Sequence, residues 1–381
     1  MRTSGLLPFG CAAPAGRSVH DGMSCFGAVR LGVGFLDPDV STGPVGLRPK
    51  DIRDAYGLVG LRAHGRTVAI VDAFDDPNAE ADLAVYRAAY GLPPCTTANG
   101  CFRKVNQDGQ AKPLPAPDYG WAEEISLDLD AVSATCPSCH ILLVEANGPT
   151  TRPLMAAVET AVRLGAVAVS NSYGGHEDKS VLRADVHLYH PGVAVTASSG
   201  DSGYGVQWPA SSPYVTAVGG TSLSAAGNGR GWTETAWAGA GSGCSKFEAK
   251  PSWQTDNKCG RRMVADVAAV ADPATGLGVY DTFNNCVLAL LCDAMIGSGA
   301  AKGLNGWAQI GGTSLSAPIV AAVYALAGNH HRTRYLYAHQ DALYDVLKGS
   351  NGSCPVPYYC TARVGYDGPT GLGTPHGTGA F

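Results

Sequence analysis

Residues Thr67-Val68-Ala69-Ile70-Val71-Asp72-Ala73-Phe74 form an apolar, β-branched run, too short for an ordinary helix. Such a run reads as a strand buried on both faces, and residues 78–90 after it carry a helical pattern. The alternation continues outward along the chain. Residues 118–135 and 153–164 read as helices, and residues 141–145, 166–170 and 192–197 as apolar strands. Strands that alternate with helices need crossover connections, so the expected fold is α/β, a doubly wound parallel sheet with helices on both faces. Residues 313–328 (TSLSAPIVAAVYALAG) read as a buried helix that starts at a Gly-Gly turn.

The chain has 381 residues, 45% hydrophobic and only 15% charged, with a formal net charge of −5. That balance argues against a nucleic-acid partner or an anionic membrane surface. No apolar run is long enough to span a bilayer, so no membrane association is expected. Residues 1–45, rich in Gly and Pro, read as an N-terminal extension wrapped on the surface, and residues 46–381 as a single catalytic domain. The segment at residues 6–9 is interrupted by Pro8 and too short for a signal-peptide core, so the expectation is an export signal already removed or a chain incompletely represented.

Twelve cysteines fall into neighbouring pairs: Cys11/Cys25, Cys95/Cys101, Cys136/Cys139, Cys244/Cys259, Cys286/Cys292 and Cys354/Cys360. Even counts at short range read as local disulfides, which persist in oxidising compartments, so the protein is expected outside the cell. A zinc or redox role for Cys136-Pro137-Ser138-Cys139, with His140 adjacent, is the alternative, but no second C-x-x-C completes a zinc site.

Three constellations carry chemistry. Gly311-Gly312-Thr313-Ser314-Leu315-Ser316-Ala317-Pro318 places a serine at a helix N-terminus, where free N–H groups and the helix dipole favour developing negative charge. The alternative is a simple helix cap, and the related Gly219-Gly220-Thr221-Ser222-Leu223 lacks the Ala-Pro continuation. None of the ten histidines stands in a setting that suits a general base for this serine. Glu124 and Asp128, at i and i+4, share one helical face instead. The stripe Ala122, Ile125, Leu129 and Val132 would pack that helix inward and leave the pair at a partly buried edge, where two carboxyls can share a proton. A solvated acidic face, as Glu123 and Asp130 could form, is the alternative. In Ser199-Gly200-Asp201, after the strand at 192–197, a protonated Asp201 could donate to an oxyanion, or it could be a turn residue.

Together these motifs resemble the sedolisin family of serine-carboxyl peptidases, in its kumamolisin-like branch, which has a subtilisin-like fold and works in acid. Glu124-Ile125-Ser126-Leu127-Asp128 matches its E-x-x-x-D pattern, Ser199-Gly200-Asp201 its S-G-D motif, and Gly312 through Pro318 its G-T-S-x-S-x-P motif, in the right order. The resemblance implies Ser314 as nucleophile, Glu124 as general base, Asp128 as its partner and Asp201 as the oxyanion-hole acid. It further implies that Asp72 extends the proton network, and that Ser170, Asn171, Ser172, Tyr173 and Gly174 line a cleft for extended peptides, with Tyr173 where some relatives carry Trp. One structural Ca2+ is implied near the C-terminus, with carboxylates from Asp345 and Asp367 and carbonyls from Val346, Arg363 and Gly365. The family's long pro-segment has no counterpart here, which implies a matured form or a short-leader branch, and residues around Cys286 and Cys292 read as an insertion. The expected protein is a monomeric endopeptidase acting on polypeptide substrates. A peptide-binding relative without activity, or a glycoside hydrolase using Glu124 and Asp128, is the rival reading.

Overall fold

A computed structural model of the chain describes residues 6–8, 11, 22–30, 43–283, 306–328 and 333–381. Near the N-terminus lie two short strands, β1 (Ser24–Cys25) and β2 (Ala28–Arg30). The first half of the domain then alternates β3 (Thr67–Ala73), α1 (Ala79–Ala89), β4 (Phe102–Asn106), α2 (Tyr119–Thr135), β5 (His140–Ala146) and α3 (Thr151–Arg163). It continues through β6 (Ala168–Asn171), β7 (Tyr173–His176), β8 (Ala194–Ser198), β9 (Thr216–Ala225) and β10 (Trp232–Ala236). The last elements that position the site are β11 (Val267–Val270), β12 (Trp307–Gly311) and α4 (Thr313–Ala327).

The central sheet has eight strands in the order β10-β9-β8-β6-β3-β5-β4, with β11 also bonded to β9. Every pair is parallel except β10 with β9. This is the doubly wound α/β architecture expected from the alternating pattern. Strands covered on both faces must be apolar throughout, and Val68, Ala69, Ile70 and Val71 of β3 are indeed fully buried. The second Gly-Gly-Thr-Ser run, with no helix after it, lies inside β9.

Two helices carry the chemistry, and each has a local reason to start where it does. At α2 the Asp118 side chain caps the helix, accepting from the Trp121 N–H at 3.0 Å. At α4 the chain turns through Gly312 at φ 105°, a backbone state that penalises any side chain, and leaves the helix through left-handed Gly328. Both helices are buried along almost their whole length and pack on each other. Burial of α2 is thus far more complete than an apolar stripe suggests: Glu123 and Asp130 are interior too, not a solvated face.

The N-terminal extension is not confined to the surface. β1 adds antiparallel to β7, with Ser24 opposite Gly174 and Cys25 opposite Tyr173. β2 pairs with β12 immediately ahead of α4, and Cys11, Met23 and Phe26 are buried. Apolar side chains in that segment, invisible to any periodicity, drive it into the body.

Five of the six expected disulfides are present: Cys11–Cys25, Cys95–Cys101, Cys136–Cys139, Cys244–Cys259 and Cys354–Cys360. The pair Cys286/Cys292 lies outside the described residues. Closure of Cys136–Cys139 removes the zinc reading of that motif. Among the described residues no helix is long and apolar enough to cross a membrane.

Candidate active site

Ser314 is the second residue of α4 and completely buried. Its hydroxyl accepts from the Phe26 N–H at 3.0 Å and donates to the Ser172 carbonyl at 3.2 Å, and its own N–H donates to the Phe26 carbonyl at 3.2 Å. No histidine is among these partners. Pro318 stands four residues on, so it has no N–H to offer the Ser314 carbonyl. That carbonyl is instead approached by the Ser172 hydroxyl at 3.3 Å.

Glu124 and Asp128 face this serine from α2, and both are fully buried, not at a partly exposed edge. Burial is the main force that pushes both carboxyls well above the ordinary range, with the Asp128 charge next for Glu124 and the Asp72 charge next for Asp128. The nearby Ser314 hydroxyl tempers the rise at Glu124, although neither Glu124 oxygen has a hydrogen-bond partner, because that hydroxyl turns to the Ser172 carbonyl. Asp128 is held differently. The Ser172 hydroxyl sits 2.8 Å from each of its oxygens. Asp72, near the end of β3, has two buried oxygens without a partner and is raised by burial to about 8. Its charge acts on both Glu124 and Asp128, so the structure does bring it into the acidic group.

Asp201 follows β8 in the loop beside the α4 N-terminus. Its Oδ1 accepts from the Thr313 N–H and the Thr313 hydroxyl, both at 2.8 Å, while its buried Oδ2 has no partner. A side chain added at Gly312 would meet both this Oδ2 and the Phe26 carbonyl oxygen, so the two oxygens look into the same small space. Burial raises Asp201 to about 7, against the opposing pull of the Thr313 hydrogen bonds. In acid it is therefore a neutral carboxylic acid with an O–H to donate.

The five residues expected along the cleft divide. Ser172 touches Asp128 and the Ser314 carbonyl, while Tyr173 and Gly174 lie in β7, to which β1 is added. Ser170 and Asn171 do not form an edge, because in β6 their backbones pair with β3 on one side and β8 on the other. Asn171 serves inside: its amide donates to the Thr196 carbonyl at 2.9 Å, and its Oδ1 accepts from the Tyr173 hydroxyl at 2.6 Å.

Near the C-terminus the expected calcium residues do cluster. The Gly365 N–H donates to Asp345 and the Arg363 N–H to Asp367, each at 2.9 Å. Asp367 is buried and lies close enough to Asp345 for like-charge repulsion to add to its raised pKa, about 7. Two neighbouring carboxylates, with the backbone carbonyls beside them in sequence, form an oxygen-only donor set, which fits a hard cation.

Some functional features had no sequence signal. Ser172 looked like one residue of a cleft edge, not the group that orients Asp128. The Cys11 and Cys25 sulfurs lie within 4.8 Å of a Glu124 oxygen, but being joined to each other they are no metal ligands. Phe26, against the nucleophile, sits in a segment without period.

A buried serine at a helix start, faced by carboxyls instead of histidine on a subtilisin-like sheet, defines the serine-carboxyl class of peptidases. Comparison with known proteins agrees. The subtilase family model matches residues 116–347, and the chain belongs to that family, in its sedolisin, kumamolisin-like branch. It is 30% identical to kumamolisin of Bacillus sp. (strain MN-32) over 88% of this chain and 63% of that protein. It is also 30% identical to sedolisin of Pseudomonas sp. (strain 101), over 48% of this chain and 33% of that one. The solved structure of Pseudomonas sedolisin complexed with two molecules of pseudo-iodotyrostatin superposes with a TM-score of 0.70 at 25% identity, covering 87% of this chain and 96% of that one. The chain therefore spans less than two thirds of the length of these curated relatives.

Proposed function

We propose that the chain is an acid-active endopeptidase that hydrolyses peptide bonds through an acyl-enzyme on Ser314. The observation that carries this reading is the convergence on one buried point of the Ser314 hydroxyl and N–H, the unpartnered Glu124 carboxyl and the unpartnered Oδ2 of Asp201. Glu124 takes the Ser314 proton as Oγ attacks the substrate carbonyl carbon. The Ser314 N–H and the protonated Asp201 hold the resulting oxyanion. Glu124 then returns the proton to the leaving amine, and a water activated in the same way releases the acyl group. Asp128, fixed by the Ser172 hydroxyl, and Asp72 form one coupled acidic group with Glu124, so the proton Glu124 takes is shared across the group instead of resting on a single carboxyl.

Asp345, Asp367 and the carbonyls of Val346, Arg363 and Gly365 would hold a Ca2+ that ties the C-terminal loops together. Five closed disulfides support work outside the cytosol.

The test is turnover of an unstructured protein at acid pH by the wild type, Ser314→Ala and Glu124→Gln. The serine variant should fall by about 10⁴-fold or more and the glutamate variant by roughly 10²–10⁴-fold. Activity surviving in Ser314→Ala would end the serine mechanism, and an inert wild type would favour the peptide-binding reading.

A further inference from the structure

A second concavity lies away from Ser314. It has a volume of about 400 Å³ and opens at the N-terminal ends of β8 and β9, whereas Asp201 follows the C-terminal end of β8. Thr216, the first residue of β9, forms part of its floor. The Thr216 hydroxyl is hydrogen-bonded to the Tyr324 hydroxyl of α4 at 3.0 Å and to the Thr333 hydroxyl, also in the lining, at 2.9 Å. Tyr324 stands roughly 15 Å along α4 from Ser314, so this space is separate from the candidate active site.

The walls combine rings with cations. Tyr189 and Tyr214 meet with 5.0 Å between ring centroids and are each nearly half exposed, and Trp253 lines the same space. Lys250, His190 and Arg334 line it too, and among the described residues no aspartate or glutamate does. Lys250 is already committed, because its Nζ donates to the Asp256 carboxylate and to the Cys259 carbonyl, both at 2.7 Å. Arg334 is exposed and has no ion pair or hydrogen bond among the described residues, so its guanidinium is left for a ligand. Acids next to the lining in sequence do not answer it. Asp256 is engaged by Lys250, and Asp185 accepts from the Trp208 indole N–H at 3.0 Å. Burial raises Glu248 to about 8, so it is uncharged in acid. A ring that carries a carboxylate satisfies both halves of this space.

We propose that this cavity is a binding site for an aromatic carboxylate, with the ring held among Tyr189, Tyr214 and Trp253 and the charge met by Arg334. A free aromatic acid and the C-terminal residue of a peptide share that chemistry. The test titrates the full chain with 3-phenylpropionate and with its neutral amide, followed by ligand-observed NMR at about pH 5.5, where the acid is ionised. The acid should bind about threefold or more tighter than the amide, and Arg334→Gln should erase that difference. Tyr214→Ser should weaken both probes several-fold. Arg334 is exposed, so Arg334→Gln should keep the wild-type melting temperature and carries the test if Tyr214→Ser fails to fold. A second pair of probes, acetyl-Ala-Phe as free acid and as C-terminal amide, separates the two sources. Arg334-dependent binding of the dipeptide acid tighter than that of 3-phenylpropionate would identify a peptide C-terminus, and the reverse order a free acid. Equal binding of 3-phenylpropionate and its amide, a difference that survives Arg334→Gln, or no binding up to roughly 10 mM would overturn the inference. No readout depends on turnover, so the outcome is independent of the peptidase reading.

Discussion

Ser172 shows how much one hydroxyl can govern. It donates to the Asp128 carboxylate and lies against the Ser314 carbonyl that Pro318 leaves unpaired, so it links the two helices of the site. Its hydrogen bond lowers the Asp128 pKa against the rise caused by burial. Ser172→Ala should therefore move the acid limb of the pH–rate profile to higher pH and reduce kcat about tenfold; a profile identical to wild type would show that Asp128 needs no such donor. Asp201 governs the other limb. With a pKa raised to about 7, it loses its proton, and with it the oxyanion donor, as pH climbs through neutrality. Asp201→Ala should cost roughly 10²–10³ in kcat. Asp201→Asn keeps an N–H donor at every pH, so its residual activity should lose the alkaline limb, which stopped-assay rates between pH 5 and 9 would reveal.

At the scale of elements, the site depends on how β12 passes into α4. Gly312 adopts φ 105° and approaches the Phe26 carbonyl too closely for a side chain. Gly312→Ala should destabilise the fold by about 1–3 kcal/mol and displace Ser314 as well. The urea midpoint and kcat should fall together, and a variant that is stable but fully active would contradict this account of the turn. α2 poses the opposite question, because it is a helix with four acidic side chains inside the protein. Glu123, Glu124, Asp128 and Asp130 are all buried, and only the elements packed around α2 make that tolerable: the Tyr280 N–H, for one, donates to Asp130 at 3.0 Å.

The whole molecule carries a consequence of this interior acidity. Burial raises Asp72 to about 8 and Asp76 and Asp201 each to about 7, while an unfolded chain ionises its aspartates near 3.9. Between those values the folded protein keeps protons that the unfolded chain releases. Their contribution is fully present below about pH 4 and is lost as pH rises toward 7 to 8. The melting temperature should accordingly fall from pH 4 to pH 8, and a rise over that range would refute the argument. The proposed Ca2+ would act at the same scale, through the loops that carry Asp345 and Asp367. A chelator should lower the melting temperature by a few degrees, and Asp367→Asn should abolish that response.

How much of this could be read from the residues depends on how local each cause is. The sequence by itself determined the α/β alternation, since apolar period and length specify strand and helix, and the order of the motifs around Glu124, Asp128, Asp201 and Ser314. It also suggested, without proving, the short-range cysteine pairing, and five of those pairs are closed in the structure. Tertiary structure alone decided the rest. The near-total burial of α2 and the Ser172 contact to Asp128 are set by elements distant in the chain, as is the pairing of β6 on both sides that keeps Ser170 and Asn171 from forming an edge. The pairing of Ser24 and Cys25 with β7, which seats Phe26 against Ser314, was least legible of all. A strand added to an open edge is recruited by backbone hydrogen bonds and one ring fitting over a glycine, and neither leaves a period in the sequence.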